Sequence, residues 1–89
     1  MEVKIDKSFQ KDTRQIKDKA LLTKIAEVIS SVQQAENINQ IKNFKKLKGS
    51  QGKYRIKIGN YRLGIILEES VIEFIRCLHR KDIYKYFPE

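Results

Sequence analysis

The sequence predicts an α+β fold in which an N-terminal strand and a helical hairpin pack on a meander of antiparallel strands. Three observations carry this reading. A one-sided apolar stripe at helical spacing occupies the first half, a glycine-led two-residue turn joins alternating segments in the second, and 89 residues leave room for a single domain over residues 1–89.

Residues 2–6 alternate, with Val3 and Ile5 apolar between Glu2, Lys4 and Asp6, the two-residue period of a half-buried strand. Asp6 or Ser8 is suited to cap a helix in which Phe9, Thr13 and Ile16 recur through Lys17, and residues 18–20 provide a break. In the second helix Leu21, Leu22, Ile25, Val28, Ile29 and Val32 form one stripe, with polar residues opposite. One stripe needs one flat surface, and that surface has to come from strands further on. Residues 36–52 read as a connecting loop with one helical turn, Phe44 and Leu47 pinning it to the body.

Three strands follow, over 53–58, 61–67 and 71–78, and Gly59-Asn60 is a hairpin turn of the II′ kind. The register is then set: Ile58 faces Tyr61, Lys57 faces Arg62, Ile56 faces Leu63 and Arg55 faces Gly64. Tyr54, Ile56, Ile58, Tyr61, Leu63 and Ile65 make an apolar face for the helices. Lys53, Arg55, Lys57 and Arg62 take the other.

Nineteen Lys plus Arg against eleven Asp plus Glu give a net charge of +8, yet 40% of residues are apolar and regularly spaced, which excludes a disordered basic tail. The excess implies a polyanionic or acidic protein partner. No apolar run approaches the roughly 18 residues of a membrane span, and residues 1–7 lack the apolar stretch of a secretory signal, so a cytoplasmic protein is expected. A single cysteine, Cys77, excludes an internal disulfide framework and reads as a buried thiol. With a single histidine, His79, no Cys/His metal site is expected.

Lys57 opposite Arg62 places like charges on neighbouring strands, which costs stability. Gly64, opposite Arg55, leaves a gap through which a ligand would approach the backbone. Seven Lys or Arg and no acid lie between Lys42 and Lys57, extending the positive field into the loop through Lys45, Lys46 and Lys48. Solvated edge lysines also deter aggregation, so this face alone does not separate RNA from DNA or an acidic protein. After the last strand, His79 is a candidate proton carrier, Arg80 and Lys81 suit a phosphate, and Tyr84 or Tyr86 suits base stacking. Tyr84 and Phe87 equally suit core anchors of a short terminal helix, which leaves this segment open between helix and tail.

Leu47-Lys48-Gly49, Tyr54-Arg55-Ile56-Lys57-Ile58, Tyr61-Arg62-Leu63 and His79-Arg80-Lys81-Asp82-Ile83-Tyr84 together resemble the RelE/ParE superfamily of small toxins from type II toxin-antitoxin pairs, over nearly the whole chain. The resemblance implies a twisted antiparallel sheet backed by helices. For the RelE branch it implies a ribosome-dependent endoribonuclease acting on mRNA, and for the ParE branch inhibition of DNA gyrase.

Carried over residue by residue, the family's basic strand positions fall on Arg55 and Lys57, its next-strand arginine on Arg62, its later basic residue on Arg80, and its aromatic on Tyr84 or, with looser spacing, Tyr86. The first of these positions is often lysine in RelE-type enzymes and is Arg55 here. In this scheme Lys57, crowded by Arg55 and Arg62, is the general base toward the 2′-hydroxyl, and Arg55 and Arg62 hold the phosphate. Arg80 or protonated His79 assists the leaving group, and Tyr84 orients a base. Lys45, Lys46, Lys48, Lys53 and Lys81 line the path of the RNA, and neither metal nor cofactor is called for. A cognate acidic antitoxin is the expected partner, with the toxin monomeric alone and oligomeric only through it. A gyrase inhibitor acting through its helical hairpin, or a basic binding module without catalysis, are the rival readings.

Overall fold

The computed structural model describes residues 1–49 and 51–87; Ser50, assigned by the sequence to the connecting loop, and Pro88 and Glu89 of the last segment lie outside the described residues. The elements are β1 (Glu2–Ile5), α1 (Lys7–Arg14), α2 (Lys19–Gln34), a 3₁₀ turn (Ile38–Gln40), β2 (Phe44–Lys46), β3 (Lys53–Ile58), β4 (Tyr61–Glu68), β5 (Val71–His79) and α3 (Ile83–Tyr86).

Both long helices start on aspartate caps. The Asp6 carboxylate accepts the Ser8 N–H at 2.9 Å and that of Asp18 accepts the Leu21 N–H at 3.2 Å, each worth about 1 kcal/mol. The second cap explains why α2 begins at Lys19, inside the stretch expected to be a break. Among the described residues, no helix is long and apolar enough to cross a membrane.

The sheet runs β1-β5-β4-β3-β2. The hairpin has the expected register, Lys57 opposite Arg62 and Arg55 opposite Gly64. Gly59 sits at φ 55° whereas Asn60 is not among the positive-φ residues, which fits II′ rather than I′. Two strands depart from the sequence expectation. β1 pairs parallel to β5, from Glu2 beside Val71 to Ile5 beside Phe74, making the sheet mixed, with the helical hairpin inside the connection that parallel strands require. The loop expected around Phe44 contains a three-residue strand, β2, paired with Tyr54 to Ile56; the Phe44 ring stacks on Tyr54 at 4.6 Å.

On the helix side, Phe9, Ile25 and Val32 pack on Ile56, Ile58, Leu63, Ile65, Ile72, Phe74 and Cys77. The opposite side was expected to be free, and it is not. Leu47, Ile83 and Phe87 form a second buried cluster there, backed by Ile66, Ile75 and Leu78. Phe87 fills the gap above Gly64: a Cβ on this glycine would stand 2.8 Å from the phenylalanine ring. The expected opening for a ligand is therefore closed by the chain's own C-terminal segment.

β5 also carries a bulge. Ile65 faces Phe74 while Gly64 faces Arg76, so Ile75 is an extra residue, and every side chain after it changes sides relative to strict alternation.

Candidate functional site

The side of the sheet away from α1 and α2 carries two rows of side chains across neighbouring strands. One runs Lys45, Arg55, Gly64, Arg76 and the other Lys57, Arg62, Leu78. The tip of the β3–β4 hairpin gathers two arginines. Arg62 Nη1 donates to the carbonyls of Gly59 at 2.8 Å and Tyr61 at 3.0 Å, and the backbone N–H of Arg80 donates to Asn60 O at 2.7 Å.

Partial burial, then the charge of Arg55, and more weakly that of Arg80, push the pKa of Arg62 down, while the phenol of Tyr84 acts in the opposite direction. Arg55, Arg62, Arg80 and Tyr84 are thus electrostatic neighbours. Among the described residues no carboxylate lies within ion-pair distance of these three arginines; the ion pair that is present joins Asp12 to Arg76. Guanidinium groups stay charged at any physiological pH, and their planar forks match phosphate oxygens. Crowding them without counter-ions is unfavourable in the free protein, and an anion of high charge density relieves it.

The other expected site residues are distributed unequally. Lys57 is exposed, faces Arg62 in register, and its N–H donates to Asn43 O at 3.3 Å. Lys45 stands beside Arg55, whereas Lys46, paired with Tyr54, belongs to the helix side by alternation. Lys48 and Lys81 are exposed in turns. The Lys53 ammonium lies 5.2 Å from the centre of the Phe87 ring. Of the two aromatic candidates, Tyr84 is an electrostatic neighbour of Arg62, while Tyr86 lies under the Arg76 guanidinium at 5.5 Å. Tyr84 is 46% exposed, so its ring is open to a stacking partner; Ile83 and Phe87, not Tyr84, anchor α3.

His79 is not brought to the cluster. The bulge at Ile75 puts it on the helix side, paired with Tyr61, whose ring it meets edge-on at 5.7 Å, and its Nδ1 accepts the Lys81 N–H at 3.2 Å. It lines a small cleft with Asp12, Gln15, Cys77 and Asp82 rather than the arginine face. Among the described residues no group of three or more His, Cys, Asp or Glu is arranged to hold a metal ion.

Sequence reasoning missed the bond between Asp12 and Arg76. The two residues are 64 positions apart, and no local pattern joins them.

A family model described as the ParE toxin of the type II toxin-antitoxin system parDE matches residues 3–84. The chain belongs to this family. The toxin is 40% identical over 89 residues to Toxin RelE3 of Methanocaldococcus jannaschii, covering 99% of this chain and 100% of that one. It superposes with a TM-score of 0.81 and 38% identity on a chain of the RelB-RelE antitoxin-toxin complex from Methanococcus jannaschii, covering 96% and 99% of the two. A chain of the RelBE2 toxin-antitoxin complex from Mycobacterium tuberculosis shares the fold at 18% identity, with a TM-score of 0.65 and coverage of 91% and 92%. The toxin is thus a RelE/ParE superfamily member of α+β architecture, its cationic face carried on the β3–β4 hairpin.

Proposed function

We propose that this toxin is a metal-independent endoribonuclease that cuts mRNA on the ribosome and so stops translation. The observation that supports it best is the cluster of Arg55, Arg62 and Arg80, free of carboxylate partners among the described residues, with the exposed Tyr84 ring beside it. Two relatives, at 40% and 38% identity, carry the RelE name, which favours the same branch.

RNA supplies its own nucleophile. Lys57, reacting as its neutral amine, takes the proton of the 2′-hydroxyl and becomes an ammonium, the 2′-oxygen attacks the adjacent phosphorus, and the bond from phosphorus to the 5′-oxygen breaks. A 2′,3′-cyclic phosphate and a 5′-hydroxyl result. Arg55 and Arg62 hold the phosphate and stabilise the added negative charge of the phosphorane, an effect worth on the order of 10² to 10³ in rate per donor. Arg80 stabilises charge on the departing 5′-oxygen. Arginine is a poor proton donor and His79 lies on the other side of the sheet, so that oxygen takes its proton from water. Tyr84 stacks on a base, and Lys45, Lys48, Lys53 and Lys81 attract the flanking backbone.

We infer that the same face is the target of an acidic antitoxin, because its charge is uncompensated; the similar RelB-RelE and RelBE2 structures are themselves antitoxin-toxin complexes. We infer a single-domain cytoplasmic toxin, monomeric alone and assembled into larger particles through its antitoxin. Size-exclusion chromatography with and without a co-expressed acidic antitoxin checks this.

One observation favours a second reading. An apolar groove between α1 and α2, lined by Ile5, Phe9, Leu22, Ile25 and Ile29, offers a surface for another protein, as a gyrase inhibitor would need. Purified toxin added to translating ribosomes, with gyrase supercoiling run in parallel, separates the two. Cleaved message with normal supercoiling is the expected result; intact message with blocked supercoiling overturns the proposal.

A further inference from the structure

α3 is a single turn of four residues, too short to hold its own conformation, and Asp82 caps it without a side-chain hydrogen bond. Its hold on the sheet comes from Ile83 and Phe87, both buried against Leu47. Those contacts seat one face of the turn on the sheet. The side chains that flank that face, Tyr84 and Tyr86, add their own constraint on its roll.

At about 100° per residue, Tyr84 projects about 100° to one side of Ile83 and Tyr86 about 60° to the other. Tyr86 falls under Arg76 at 5.5 Å, and Tyr84 falls on the opposite flank, where its phenol is an electrostatic neighbour of Arg62. The Lys85 ammonium also lies 5.4 Å from the Tyr86 ring, but it moves with α3 and fixes nothing. Arg76 is held from outside. Its Nε and Nη2 donate to the two carboxylate oxygens of Asp12 at 2.8 and 3.0 Å, and Asp12 also accepts the Cys77 N–H at 2.9 Å.

Two local features make this bond possible. β1 ends at Ile5 beside Phe74, so the edge of β5 beyond it is open to α1. The bulge at Ile75 turns Arg76 toward α3, and both ends of the bond are mostly shielded, at 24% and 11% side-chain exposure.

We propose that Asp12, acting through Arg76, is a positioning residue that sets the roll of α3 and thereby holds Tyr84 against the arginine cluster. Its effect on cleavage rests on the reading of that cluster as an RNA site; its effect on the position of Tyr84 does not. The full-length toxin is compared with Asp12→Asn, Tyr86→Ala and Tyr86→Phe, each assayed for ribosome-dependent cleavage and for the NMR cross-peak between the Tyr84 ring and the Arg62 side chain. Asp12→Asn and Tyr86→Ala are expected to weaken the cross-peak and slow cleavage about tenfold to a hundredfold, the scale of a small misplacement. Tyr86→Phe keeps the ring and is expected to keep both.

Combining Asp12→Asn with Tyr84→Ala is expected to slow cleavage no further than Tyr84→Ala alone, a coupling that general loosening of the fold does not produce. A full-strength cross-peak in Tyr86→Ala, or additive losses in the double variant, overturns the proposal. Tyr86 is 52% exposed, so its variant folds and decides the matter even where Asp12→Asn does not. If the parent protein leaves message intact, the enzymatic reading falls and the cross-peak alone judges the role of Asp12.

Discussion

One nitrogen of Arg62 is tied to the carbonyls of Gly59 and Tyr61, which holds the guanidinium in place without neutralising it. Replacing Arg62 with alanine is expected to slow message cleavage on the order of 10² to 10³, with a melting temperature close to the parent's, because among the described residues it removes no ion pair or core contact, and the two hydrogen bonds lost are offset by relief of repulsion from Arg55 and Arg80. His79→Ala, on the other side of the sheet, is expected to leave the rate unchanged. Equal losses in the two variants would place His79 in the reaction after all. Cys77 gives a pH signature of the helix-side core. Burial, with the Asp12 charge adding to it, pushes the thiol from 9.0 up to about 12. Between those values the unfolded chain has released a proton that the folded chain still holds, so stability falls as pH rises, by up to about 1.4 kcal/mol per unit. Denaturant titrations from pH 8.5 to 10.5 are expected to show the parent losing stability faster than Cys77→Ala, narrowing the gap between them.

The β3–β4 hairpin was legible in the sequence because its register depends on two adjacent residues, Gly59 and Asn60, and the capped helices were legible because their stripes are local. What was not legible depends on distant partners. β2 has three residues and exists because Tyr54 to Ile56 offer it an edge, and the parallel pairing of β1 with β5 spans most of the chain. The single extra residue Ile75 reverses the sides of Arg76 and His79, so strict alternation sends the histidine to the wrong face. Gly64 is the sharpest case. A glycine in a strand signals a close approach without saying of what, and here the neighbour is Phe87. Gly64→Ala is therefore expected to push the ring outward, at a cost of about 1 to 3 kcal/mol. Amide exchange across residues 83–87 should rise by more than in the helix-side core. Were the glycine a gap for RNA instead, the same variant would weaken RNA binding and leave both stability and exchange untouched.

At the scale of the whole molecule, a net charge of +8 sits on 89 residues, and nineteen Lys plus Arg outnumber eleven Asp plus Glu, of which Asp12 is engaged with Arg76. Electrostatics in the free toxin are therefore dominated by repulsion, and added salt has more to relieve than to weaken. Raising sodium chloride shortens the screening length from about 10 Å at 0.1 M to about 3 Å at 1 M, so the melting temperature is expected to climb with salt, opposite to a protein held together by surface ion pairs. Phosphate should do more than screen. An anion that binds the folded arginine cluster and not the unfolded chain adds a stabilisation of RT ln(1 + [L]/Kd), about 2.7 kcal/mol at a hundred times its Kd. At matched ionic strength, phosphate is thus expected to raise the melting temperature beyond chloride in the parent, and Arg62→Ala should lose that extra increment while keeping the chloride response. Equal increments in the two proteins would mean that phosphate acts on diffuse charge alone, and that Arg55, Arg62 and Arg80 do not converge on a common ligand.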